Sequence, residues 1–145
     1  HEQNVHVKAM LALEMIGYFS DAKASQSYPA AIFRLFYPSK GNFIAIIGNT
    51  KQRELVKAVK VSMRGTTALP IHSVSVPHFV SGIDFSDHRN YWRYGFPAVM
   101  ITDTAFLRNK QYHKLGDTPD RLDYSRMADV VTAVFETIKK LDEQP

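Results

Sequence analysis

The chain has no cysteine. Disulfide staples and thiolate metal sites are therefore excluded, and any metal must be held by His, Asp and Glu. The absence leaves the compartment open. No apolar run approaches the roughly 20 residues of a membrane span, and no secretory signal opens the sequence. A basic stripe is missing too. Lys8, Arg34, Lys57, Arg89, Arg108 and Lys139 are scattered, and the net charge is only +4, so nucleic-acid binding is not expected. There is no H-E-x-x-H, no G-x-S-x-G and no P-loop. Internal repeats, low-complexity tracts and linkers are absent.

What remains is an ordinary globular composition, 45% hydrophobic and 22% charged over 145 residues. That length suits one domain with a sizeable core. The abrupt polar start fits a domain cut from a longer protein. Val5 to Ile16 reads as a buried strand, almost continuously apolar after Lys8. Tyr18 to Gly41 is too long for an ordinary connection, and its aromatics, Tyr18, Phe19, Tyr28, Phe33, Phe36 and Tyr37, are too many to leave exposed. It is expected to leave the sheet and line a pocket or an interface. Phe43 to Ile47 is a strand. Thr50 can cap a helix running to about Arg64. Ile71 to Val76 and Pro97 to Thr102 read as further strands. Between them Ser86 can cap a short helix that stops at Gly95. Asp123 can cap a last helix whose apolar positions run from Met127 to Leu141.

Strands alternating with helices predict a three-layer α/β/α sandwich with a mostly parallel or mixed central sheet. Such sheets gather sites at the carboxyl ends of their strands. Glu14 lies near the end of the first strand. Asp84, Asp87 and His88 follow the third, and Asp103, Tyr112, His113 and Asp117 follow the fourth.

Each of these residues has an ordinary reading beside a chemical one. A carboxylate in a buried strand, as at Glu14, must be paired, protonated, metal-bound or tipped out to solvent. His113 sits in a polar loop, where most histidines bind nothing, although imidazole is the commonest metal-ligating group. Asp117, four residues on, can orient that imidazole or simply belong to the D-T-P-D turn that starts the helix. Tyr112 can donate a hydrogen bond to a developing oxyanion or only pack. Asp87 suits the positive end of a helix, and Asp87 and His88 can support or rim a pocket. His72 and His78 flank a strand without partners at ligand spacing and read as structural.

Three blocks in this order resemble metallopeptidase family 28, the co-catalytic zinc aminopeptidases related to glutamate carboxypeptidase and glutaminyl cyclase. They are Glu14-Met15-Ile16-Gly17, then Ser86-Asp87-His88 followed by Gly95-Phe96-Pro97-Ala98, and Tyr112-His113 followed by Asp117 to Asp120. The match runs from about Ala9 to the end. The resemblance implies the C-terminal portion of a zinc exopeptidase domain over 1–145, with Glu14 and His113 as metal ligands, one on each of two zincs. It implies Tyr112 as the group that stabilises the tetrahedral intermediate, and Asp87, His88 and Asp117 as pocket or supporting residues. Two zincs would polarise the scissile carbonyl and activate a bridging water. The family's H-x-D motif, bridging Asp and Glu-Glu pair have no counterpart here; Glu2 is isolated. The expected partners are a peptide substrate and the upstream half of the same domain, with a homo-oligomer possible and no nucleic acid or membrane. The chain alone is expected to be inactive. A periplasmic or extracellular location follows from the resemblance, with the cytoplasm open. Two alternatives remain: a zinc acyltransferase of the glutaminyl-cyclase type, and a non-catalytic binding domain that kept the fold.

Overall fold

A computed structural model describes residues 6–77 and 79–143. Four strands form one mixed sheet: β1 (Met10–Leu13), β2 (Ile44–Asn49), β3 (Ile71–Val76) and β4 (Ala98–Thr102), in the spatial order β1-β4-β2-β3. β1 runs parallel to β4, β2 runs parallel to β3, and the one antiparallel pairing joins β2 to β4. Helices α1 (Arg53–Arg64), α2 (His88–Arg93) and α3 (Tyr124–Asp142) flank the sheet. The α/β class is as expected from the sequence, and the sheet is of the mixed kind.

Period-two alternation divides the strands between two faces. Ile44, Ile46, Val99 and Ile101 point to one side, where they pack with Val56, Val59 and Met63 of α1 and Val130, Ala133 and Val134 of α3. Each of the Ile, Val and Met side chains contributes about 1.5–3 kcal/mol when fully removed from water. On the opposite side Ala45, Ile47, Val74 and Met100 line a cavity. α2 packs on β1 and β4, and the indole Nε1–H of Trp92 donates to the Ala98 carbonyl at 2.8 Å.

Several boundaries differ from the sequence reading. β1 occupies only Met10–Leu13, and Val5, the expected start, lies outside the described residues. β1 is also an edge strand, with Leu13 47% exposed. Its apolar run suits a strand with both faces covered, but only Ala12 of its four residues is buried. Thr50 does not cap α1: the N-cap position is Gln52, which makes no side-chain capping bond, and Asn49 caps the turn before it. The Asn49 side chain accepts from the Lys51 N–H, and a 3-10 turn over Thr50–Gln52 precedes α1. Asp87, not Ser86, holds the N-cap position of α2, and its side chain makes no capping bond. Asp123 does cap α3, accepting from the Arg126 N–H at 3.0 Å.

The 18–41 segment leaves the sheet and returns to its own start. The Ser20 N–H donates to the Gly41 carbonyl at 2.8 Å and the Gln26 N–H to the Ser39 carbonyl at 3.1 Å. Within it Tyr28, Phe33 and Tyr37 form a ring cluster with centroids 6.0–6.4 Å apart. The Tyr37 hydroxyl fixes the segment to β3 by donating to the Ser73 carbonyl at 2.8 Å. Phe36 departs from the expectation: it is 74% exposed.

Candidate active site

β1 and β4 are adjacent and parallel, so both deliver their following residues to the same end of the sheet. Glu14 comes first after β1. Its N–H donates to the Ile101 carbonyl at 3.0 Å, which extends the ladder by one step. Its half-buried side chain borders the cavity, and so does Tyr112, which lies ten residues beyond the end of β4 (112 − 102 = 10). The cavity encloses about 250 Å³. Its floor is the β2-β3-β4 face. Tyr28, Phe33 and Tyr37 form one wall, and Ile83, Phe85 and Phe106 line another part. A space so dominated by apolar side chains, with a carboxylate and a phenol at its border, suits an apolar group attached to a polar reacting centre.

His113 is exposed, and its ring stacks on Tyr112 with centroids 3.9 Å apart. Its backbone is left-handed, with φ 58°, an uncommon conformation for a side-chain-bearing residue. Tyr112 also leans on Phe106, at 6.0 Å. Asp117 does not orient the imidazole. Its carboxylate accepts from the Asn109 amide at 2.8 Å, and its N–H closes a turn on the Lys114 carbonyl at 3.0 Å. The four-residue spacing is thus spent on the turn.

Asp87 is exposed at the start of α2. His88 is fully buried rather than on the rim, with its ring edge-on to Trp92 at 4.5 Å. Its Nε2 lies 2.7 Å from the Ile83 carbonyl, so Nε2–H donates and holds a residue of the cavity wall. Burial lowers the pKa of His88, against the opposing effects of the Ile83 carbonyl and the nearby charges of Asp84, Asp87 and Glu14. His72 packs edge-on to Phe43 at 4.9 Å and to Tyr37 at 5.9 Å, as a structural histidine should. Burial lowers its pKa as well. His78 lies outside the described residues.

A buried polar cluster joins Asp103, one of the acids noted at the strand exits, to Arg108, which the sequence did not single out. Asp103 is 0% exposed and Arg108 3%. The Arg108 Nε–H donates to the Gln26 side chain at 2.9 Å and its Nη1–H to the Tyr18 carbonyl at 3.0 Å. The guanidinium lies over the Phe43 ring at 4.7 Å. Burial pushes the Asp103 carboxyl up to about 6, against the pull of backbone N–H groups and of Arg108. Burial likewise brings Arg108 down to about 10, against the opposing charge of Asp103. Only an acid directly after a strand and an arginine inside a mostly apolar loop could have hinted at this pairing.

Among the described residues, no group of three or more His, Asp and Glu converges on a point that could hold a metal ion. Glu14 and His113 offer one carboxylate and one imidazole, fewer than the three protein ligands usual at a catalytic zinc. These residues alone do not fit a zinc centre. No helix among them is long and apolar enough to cross a membrane.

Comparison with known proteins places the chain in a family. The Escherichia coli K12 protein YfbL, itself uncharacterised, is 52% identical over 129 residues, which cover 89% of this chain and 40% of YfbL. The probable aminopeptidase YDR415C of Saccharomyces cerevisiae is 26% identical over 141 residues, 97% of this chain and 32% of that protein. The crystal structure of the LapA aminopeptidase of Legionella pneumophila superposes with a TM-score of 0.69 at 18% identity. It covers 99% of this chain and 33% of LapA, a likeness of fold. The chain therefore spans between a third and two fifths of the length of these relatives. With the profile of peptidase family M28 matching residues 1–138, the chain belongs to peptidase family M28.

Proposed function

We propose that the protein to which this chain contributes is a zinc-dependent aminopeptidase, and that the chain supplies one flank of its active site. The observation that carries this reading is that Glu14 and Tyr112, 98 positions apart (112 − 14 = 98), border one apolar cavity at the exits of two adjacent parallel strands. Glu14 and His113 would be one ligand each in the assembled centre, and the remaining ligands and the general base would come from upstream sequence. Aminopeptidase names among the relatives support the substrate class. The work of this chain's own residues is positional. The cavity accepts an apolar side chain and excludes water around it. The Tyr112 hydroxyl stands ready to donate to an oxygen that gains charge during hydrolysis, and its ring is held between Phe106 and His113.

The test uses the full-length protein. It should release N-terminal leucine or phenylalanine from peptides faster than aspartate, lose this activity to a chelator and regain it with zinc. His113→Ala should abolish release and weaken zinc retention in the full-length protein, as loss of a metal ligand requires. Release that survives complete metal removal would refute the reading. Cyclisation of glutaminyl peptides without release of free amino acids would point to the acyltransferase class instead.

A further inference from the structure

We propose that Asp103 is a positioning residue: its carboxylate and N–H lock the exits of β1 and β4 together and so set how Glu14 and Tyr112 face each other. This rests on the aminopeptidase reading for its catalytic consequence, though not for its geometry. Asp103 is the first residue after β4 and is fully buried. Its N–H donates to the Met15 carbonyl at 2.6 Å, directly after Glu14. One carboxylate oxygen, Oδ2, accepts from the Tyr18 N–H at 2.8 Å, further along the same exit. The other, Oδ1, accepts from the Ala105 N–H at 2.9 Å, on the path toward Tyr112. One side chain thus grips both segments that carry the candidate site.

The gripped backbone is unusual. Met15 has φ 54°, Thr104 φ 75° and Ala105 φ 46°. Residues with side chains seldom take left-handed conformations and keep them only where the surroundings enforce them. All three lie within two residues of Asp103 or of an atom bonded to it. The acceptors must both be oxygens, because each faces an N–H. Asparagine at this position keeps the size but turns one end into an amino group, donor against donor, so one of the two ties must break. Serine is different. Its hydroxyl is placed to accept from the N–H two residues on, as Thr102 already does from Thr104 at 2.9 Å. It is too short to reach Tyr18. Asp103→Ser therefore spares the local turn and the backbone bond to Met15, and removes only the side-chain tie to Tyr18.

The test compares Asp103→Asn and Asp103→Ser with the unmodified full-length protein by peptidase kinetics and by amide hydrogen exchange. Misplacement of reacting groups by about 1 Å is enough to lower turnover on the order of 10²-fold. The expected result is a kcat loss of about that size in both variants, with KM little changed. Exchange should quicken over residues 15–18 while β2 and β3 stay protected. Three results would overturn the inference: unchanged kcat despite local loosening, unchanged protection at 15–18, or faster exchange across the whole sheet, which would make Asp103 a general structural residue. Failure of both variants to fold counts as the third. If the unmodified protein shows no metal-dependent release, the aminopeptidase reading fails by itself, and the exchange pattern alone then decides whether Asp103 ties the two exits.

Discussion

At the scale of single residues, burial and ligation pull in opposite directions. Asp103 has lost water and gained two N–H donors and a facing Arg108, yet desolvation wins and its pKa stands near 6 against 3.8 for a free carboxyl. The folded chain therefore binds this proton more tightly than the unfolded chain. Between about pH 4 and pH 6 the stability due to this group falls as pH rises, and above that window it stays constant. Two pKa units correspond to about 3 kcal/mol. Urea unfolding of the chain and of Asp103→Asn at pH 4.5 and pH 6.5 isolates the effect. The difference between them should move in the variant's favour at the higher pH by about 2 kcal/mol, since this interval covers about 1.5 of the two units, and a constant difference would contradict it. The sequence placed Asp103 at a strand exit, but its burial and its partners were not legible. Arg108 reaches Gln26 and the Tyr18 carbonyl across 82 and 90 positions, and no periodicity marks such partners. Glu14 was legible, because an acid after an apolar run stands out wherever it occurs. His113 and Tyr112 were legible only as members of an ordered set of blocks.

At the scale of elements, most boundaries could be read because period and propensity agreed. β3 matches its expected span, and α1 and α3 follow their apolar spacing. The misses fall at element ends, where single-residue cap preferences are weakest as a guide. Gln52, not Thr50, holds the N-cap position of α1, and α2 begins two residues after Ser86. The excursion over 18–41 was recognisable by length and aromatic content, and Tyr28, Phe33 and Tyr37 do line the cavity. What holds its neck was not recognisable. A Cβ on Gly41 would stand 2.6 Å from both Cδ and Nε of Arg108. That side chain cannot retreat, because Gln26, Tyr18 and two rings hold it. Gly41→Ala should therefore destabilise by about 1–3 kcal/mol, the usual range for overpacking. Chemical denaturation measures this directly, and a neutral substitution would show that the Arg108 cluster is softer than its burial implies.

At the scale of the whole molecule, the chain is rich in pocket and poor in ligands. One carboxylate and one imidazole cannot hold two metals, and no larger acidic or histidine group forms among the described residues. Calorimetry on the isolated chain should find only weak zinc binding, and an aminopeptidase assay negligible turnover. Tight binding with turnover would mean that a second copy completes the centre. The strand order has one more consequence, and it concerns time. Among the described residues β1 pairs only with β4: Met10 pairs with Ala98, 88 positions later (98 − 10 = 88). At a synthesis rate of about 5–20 residues per second, the first strand waits roughly 4–18 s on the ribosome before its partner exists. β2, α1 and β3 are contiguous and can assemble during that interval. Glu14 thus leaves the ribosome early but takes its place late, once the β4 exit has emerged to receive it.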